Sequence, residues 1–202
     1  MSAREDILNR MRRSLEGAGE AAEAPREYRR ALAGDTEVVE LLIDRLVDYK
    51  AQVHHGIESI ADILDEGQPV VVPADLPQEW RVGEAIFIED DPLDPEPMDA
   101  DDLDAMDAVL TGCAAAVAVS GTIMLDTGAA QGRRAITLVP DHHVIVVRRD
   151  QIVGHLAEAL PRLSATSPQT WISGPSATSD IELQRVEGVH GPRRLDVVIL
   201  DD

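Results

Sequence analysis

Residues 114–147 read AAAVAVSGTIMLDTGAAQGRRAITLVPDHHVIVV, and this stretch decides the fold class. Four short apolar runs stand out in it, at 114–119, 122–126, 135–139 and 143–147, each of a length that suits a strand. The connections between them are too short for crossover helices, so part of the sheet must pair antiparallel or through hairpins. Upstream, PVVVP at 69–73 and AIFIE at 85–89 are short apolar runs of the kind that form parallel strands covered on both faces. The expected fold class is therefore α/β, a three-layer α/β/α sandwich with a mixed sheet.

Outward from this core, Val38, Leu41, Leu42, Leu46 and Tyr49 recur at helical spacing and lead into a short strand at 52–54. Further helices are expected at 59–65, 103–110 and, capped by Asp150, at 150–163; further strands at 170–173 and 195–200. The segment 90–102, DDPLDPEPMDADD, holds three prolines among acidic residues and is expected as an exposed connector. At the start, Ser2 and Glu5 have capping-box spacing before Ile7, Leu8, Met11 and Leu15, which share one helical face. The organisation expected is an amphipathic helix at 1–16, a mobile linker at 17–34 and one α/β domain at 35–202. No internal repeat is visible.

The chain has 202 residues, 44% of them hydrophobic but only two Trp, two Tyr and one Phe, so its core must be aliphatic. That excludes aromatic stacking platforms for single-stranded nucleic acid. With 38 acidic against 18 basic residues the net charge is -20, which repels nucleic acid and anionic membrane faces at long range. Any anion this protein binds must meet a local exception. Lys50 is the sole lysine, so that exception would be built from Arg. A single cysteine, Cys113, rules out an intrachain disulfide and an iron–sulfur cluster or multi-Cys zinc site held by this chain alone. No apolar run approaches the length of a membrane-spanning helix, and a cytoplasmic location is expected.

Ser120-Gly121-Thr122 sits between two predicted strands, where Gly121 permits a turn with open amides. The next connection, 126–134, contains Gly128, Gln131 and Gly132 and ends in Arg133 and Arg134, a planar fork suited to carboxylate or phosphate. It lacks the Lys-Ser/Thr of a nucleotide-phosphate loop, which discounts nucleotide hydrolysis. Downstream, Gly174, Pro175, Ser176, Thr178 and Asp180 follow a predicted strand and suit either capping or an anion-binding turn. His190 lies between glycines, with Gly191 after it, where an imidazole can titrate near neutral pH. The six histidines lack helical metal-pair spacing, so no metal is expected, and Cys113 reads as a buried apolar residue.

At these residues the chain resembles a known family. SGTIMLDTGAAQGRRAITLVPDHHVIVV at 120–147, followed by GPSATSDIELQRVEGVHGPRRLDVVIL at 174–200, resembles the LUD domain of the lactate-utilisation protein C family. The resemblance implies a fold related to the CoA transferase and ribose-5-phosphate isomerase group, and a role in oxidising L-lactate to pyruvate with separate iron–sulfur subunits. It further implies one ligand pocket at Gly121, Thr122, Gly128, Gln131, Gly132, Arg133, Gly174, Pro175, Ser176, Thr178, Asp180, Glu182, His190, Gly191 and Pro192. Family members commonly carry an acidic residue and Thr where this chain has Val119 and Ser120, and an apolar side chain cannot act as an acid or base.

The leading expectation is thus an accessory subunit that binds a small carboxylate or other small anionic ligand while iron–sulfur partners move the electrons, with no cofactor in this chain. A self-sufficient isomerase or acyl-CoA-transferase-like enzyme would instead use Asp180, Glu182 or His190 as acid–base or nucleophile. A third option is a non-catalytic scaffold. Arg133, Ser176, Asp180 and His190 are expected to converge outside strand carboxyl ends, where open α/β sheets bind ligands.

Overall fold

The computed structural model describes residues 2–17, 23–28, 30–32, 37–178, 186–187 and 191–200. Part of the expected linker, and Asp180, Glu182 and His190, lie outside the described residues. Six strands form one wholly parallel sheet: β1 (Gln52–His55), β2 (Pro69–Pro73), β3 (Ile86–Asp90), β4 (Ala108–Thr111), β7 (His142–Arg148) and β12 (Arg194–Leu200), in the order β1-β12-β7-β4-β2-β3. The antiparallel pairing expected from the short connections goes into a second sheet. There β5 (Ala115–Val117) lies between β8 (Ile152–Val153), parallel to it, and β6 (Thr122–Leu125), antiparallel; β9 (Thr170–Ile172) completes the order β8-β5-β6-β9. Mixed pairing is therefore confined to the second sheet. A small hairpin pairs β10 (Ala177–Thr178) with β11 (Val186–Glu187).

The layers follow from the alternation of side chains along β7 and β12. Ile145, Val147, Leu195, Val197 and Ile199 face the helix α2 (Val38–Asp48), through Leu42 and Leu46, and the second sheet, through Ile123 and Leu125. Val144, Val146 and Val198 face the other way, with Val70, Val72 and Leu110, toward Ile63 of the short helix α3 (Ile60–Ile63) and toward Trp80. The result is a three-layer α/β/α sandwich whose core is almost wholly aliphatic. On the second sheet's far side, Met124, Val117 and Ala115 pack on Ala159 of α5 (Leu156–Ala159). The N-terminal helix α1 (Ala3–Leu15) has the expected Ser2–Glu5 capping box but no buried residue.

Three expected elements are corrected. Residues 103–110 are not one helix: the helix α4 (Ala100–Asp104) ends early, and β4 takes Ala108–Thr111, all buried between β2 and β7. A central strand covered on both faces has no periodicity to separate it from a helix end. The run at 135–139 is not a strand. The place beside β4 belongs to β7, and residues 134–137 form a 3₁₀ turn in which Ile136 packs against Val71, Leu103 and Val109. Residues 150–163 are broken by Gly154 and Pro161 into a turn, β8 and α5, whose N-cap is His155 rather than Asp150. The acidic connector is likewise less solvated than expected at its start, since Asp90 ends β3 only 1% exposed.

Replacing Ile145 with Ala, on a central strand facing α2, is expected to lower unfolding stability by about 2–5 kcal/mol in urea titrations. Ile7→Ala in α1, 58% exposed in the native chain, is expected to change it by under about 0.5 kcal/mol. Equal losses would contradict the placement of the core.

Candidate functional site

All carboxyl ends of the parallel sheet lie along one edge. The chain steps from β2 outward to β3 and then returns to β4 on the other side of β2, a reversal that opens a crevice at those ends. A cavity of roughly 510 Å3 lies there, lined among others by Pro73, Asp75, Asp90, Gly128, Gly132 and Arg133. A second cavity, roughly 370 Å3, lies toward the amino ends of β7 and β12. His143, Leu195, Ser173, Gly174, Ser176 and Gly191 are among its walls. Arg134 lines both.

In the first cavity the expected anion anchor is already engaged. Arg133 Nε donates to Asp90 Oδ2 at 2.8 Å and Nη2 to Oδ1 at 2.7 Å, with Nη2 also donating to the Met98 carbonyl at 2.5 Å. This hydrogen bond raises the Arg133 pKa against the opposing effect of burial, so the group stays charged. The loop amides are used in the same way. Asp126 Oδ1 accepts from Gly128 N–H at 3.2 Å, and Asp75 Oδ2 from Ala130 N–H at 2.9 Å. Gln131, 4% exposed, accepts the Asp126 N–H at 2.7 Å through its side chain. Carboxylates of the chain itself thus occupy the places where an external anion was expected.

The second cavity gathers the downstream motif. Gly174 turns at φ +84°, and a Cβ there would meet the Tyr49 carbonyl oxygen at 2.6 Å, so only glycine fits the bend. Ser176 N–H donates to the Pro192 carbonyl at 2.8 Å, which brings Pro175, Ser176, Gly191 and Pro192 onto one wall. Thr122 Oγ1 lies 2.9 Å from both Ser120 Oγ and Ser173 Oγ, joining the 120–122 turn to this wall. Gly121 serves packing: at φ +59° an added Cβ would sit 2.7 Å from Arg45 Cβ. Val119 is 41% exposed on the same turn and outside both cavity linings. Thr178 lies on β10 opposite Val186. Arg133 and Ser176 are therefore in different cavities, adjoining at Arg134, rather than in one pocket.

Two buried polar groups escaped the sequence reading. His143, 1% exposed, has Nε2 at 2.8 Å from Thr111 Oγ1, while its Nδ1 has no hydrogen-bond partner among the described residues. Burial, with the neighbouring His142, pushes its pKa down to about 3, so the ring is neutral at pH 7. On the opposite sheet face, Asp196 is fully buried. Its Oδ1 lies 2.6 Å from His54 Nε2, and its Oδ2 lies 2.7 Å from His142 Nε2 and 2.8 Å from Arg194 Nε. Burial alone would raise this carboxyl, but the hydrogen bonds from His142 and His54 and the nearby charges of His142 and Arg194 hold it below its ordinary value. Cys113 is inert here: burial pushes the thiol up to about 12.

Comparison with known proteins matches this architecture. The family model described as the LUD domain covers residues 31–200. Over 98% of this chain and 95% of the relative, the sequence is 42% identical to "Lactate utilization protein C" of Deinococcus radiodurans. A match to "Lactate utilization protein C 1" of Bacillus mycoides is 33% identical but spans 48% of this chain and 45% of the other. The crystal structure of a DUF162 family protein from Deinococcus radiodurans superposes with a TM-score of 0.70 at 39% identity, over 84% of this chain and 99% of that one.

The two buried groups set the acid response. Between its ordinary value near 6.5 and about 3, His143 takes up a proton in the unfolded chain but not in the folded one, so stability is complete above that window and falls as pH drops through it. Asp196, held low, adds a further loss below the usual carboxylate range of about 4. Urea midpoints are expected to fall from pH 7 to pH 4, with His143 contributing at most roughly 3 kcal/mol over that range. In His143→Asn that slope is expected to flatten; an unchanged slope would contradict the assignment.

Proposed function

The chain belongs to the LUD domain family, and from that premise we propose that it serves lactate utilisation as an accessory subunit, binding a small carboxylate while iron–sulfur partner proteins carry the electrons. The observation that carries this reading is the end-to-end 42% identity to a protein named for lactate utilisation. The chemistry of the chain supports the division of labour. Oxidising L-lactate to pyruvate removes two electrons and two protons from the C2 carbinol. One buried, protonated cysteine cannot supply the thiolates that hold an iron–sulfur cluster, so the electron carriers belong to other chains.

What this chain contributes is a place for the acid. The Gly174–Ser176 turn, Gly191 and Arg134 surround a cavity small enough for a metabolite, on a protein whose net charge of -20 otherwise repels anions. The isomerase or transferase alternative rests on Asp180, Glu182 and His190, which lie outside the described residues. Among the described residues no helix is long and apolar enough to cross a membrane, and the proposal places the protein in the cytoplasm with its partners.

Deleting the gene in its own host is expected to abolish growth on L-lactate and to spare growth on pyruvate. Affinity purification of the tagged chain is expected to bring down Cys-rich, iron-containing proteins. Normal growth of the deletion strain on L-lactate would overturn the reading.

A further inference from the structure

We infer that Arg134, rather than Arg133, is the anion anchor of this protein, holding the carboxylate of a small monocarboxylic acid in the cavity between the 173–176 turn and the amino ends of β7 and β12. The identity of the acid rests on the lactate-utilisation reading; the position of the anchor does not.

The 126–134 loop carries two guanidinium groups, and carboxylates of the chain itself answer one of them together with two of the loop's amides. Asp126 takes Gly128 N–H and, through Oδ2, Ser164 N–H at 2.8 Å; Asp75 takes Ala130 N–H; Asp90 takes Arg133. Displacing one of these carboxylates with a ligand would strand a buried charge, Asp90 above all, which burial makes strongly unfavourable. Arg134 is the exception. Its side chain is exposed, it lines both cavities, and its guanidinium makes no hydrogen bond or ion pair among the described residues. In a chain with 38 acidic and 18 basic residues, an unengaged guanidinium at a cavity mouth is the local positive point that an incoming anion needs.

The second, independent observation is His143 in the same cavity wall. A buried polar atom left without a partner is destabilising, yet Nδ1 of His143 is such an atom among the described residues. The ring is neutral at pH 7, so it offers hydrogen bonding without a second charge. Ser173 and Ser176 add only neutral groups. One guanidinium with neutral polar neighbours matches a monoanion with an uncharged oxygen beside its carboxylate, the pattern of a 2-hydroxy or 2-oxo acid. A dianion would bring a charge that nothing in the wall neutralises among the described residues.

Titration of the full chain with L-lactate, pyruvate, succinate and inorganic phosphate tests this. Fluorescence of Trp171, which lines the cavity and is 48% exposed while Trp80 is buried elsewhere, gives the readout, with calorimetry as a check. The expected result is saturable binding of L-lactate or pyruvate, weakened at least tenfold by Arg134→Ala and partly restored in Arg134→Lys. Arg133→Ala, corrected for the folded fraction, is expected to bind within threefold of the unaltered chain. Undiminished binding in Arg134→Ala, or loss confined to Arg133→Ala, overturns the anchor. Binding of succinate or phosphate in preference, or of none of the four, overturns the monocarboxylate assignment. Growth of the deletion strain on L-lactate judges the underlying reading separately.

Discussion

A carboxylate buried at the end of a strand must be neutralised or it unfolds its surroundings, and Asp90 meets that demand with Arg133. The bidentate pair, joined by the Met98 carbonyl, pins the end of the 126–134 loop over the carboxyl ends of β2 and β3. From that fixed point the chain turns across the sheet, seats Ile136 against Val71 and Val109, and reaches His142 to begin β7. Arg134, the next residue after the clamp, is thereby set on the boundary of two cavities. One ion pair separates the two adjacent arginines into a structural group and an available one.

The same logic explains how so acidic a chain stays folded. Several of its carboxylates are internal ligands rather than surface charges. Asp126 organises its own loop and receives Ser164 N–H, Asp75 ties that loop to the end of β2, and Asp196 holds two imidazoles and a guanidinium on the sheet's far face. Through His54, Asp196 also fastens the edge strand β1 to β12. Each of these anions has its donors aimed at it before any ligand arrives, which leaves a small part of the surface able to attract an external anion.

Local patterns were legible in the sequence where one element carried its own signal. The capping box at Ser2 and Glu5, the apolar stripe of α2, the PVVVP strand and the bend at Gly174 each follow from residues a few positions apart. Elements defined by their neighbours were not. Ala108–Thr111 becomes a strand because β2 and β7 flank it, and 135–139 fails to become one because β7 occupies that place. At the site, the turn around Ser176 could be read, but the fate of Arg133 could not, since Asp90 lies 43 positions away. His54 and Asp196 are separated by 142 positions, and no spacing rule links them. The orphaned Nδ1 of His143 appears only once burial is known.

Which arginine meets the ligand is read directly by a crystal structure of the chain grown with L-lactate or pyruvate. The predicted result is a carboxylate within hydrogen-bond distance of the Arg134 guanidinium, beside the Ser173–Ser176 wall, with Arg133 still paired to Asp90. A ligand seated on Arg133 with the Asp90 pair broken, or one bound away from both, would contradict it.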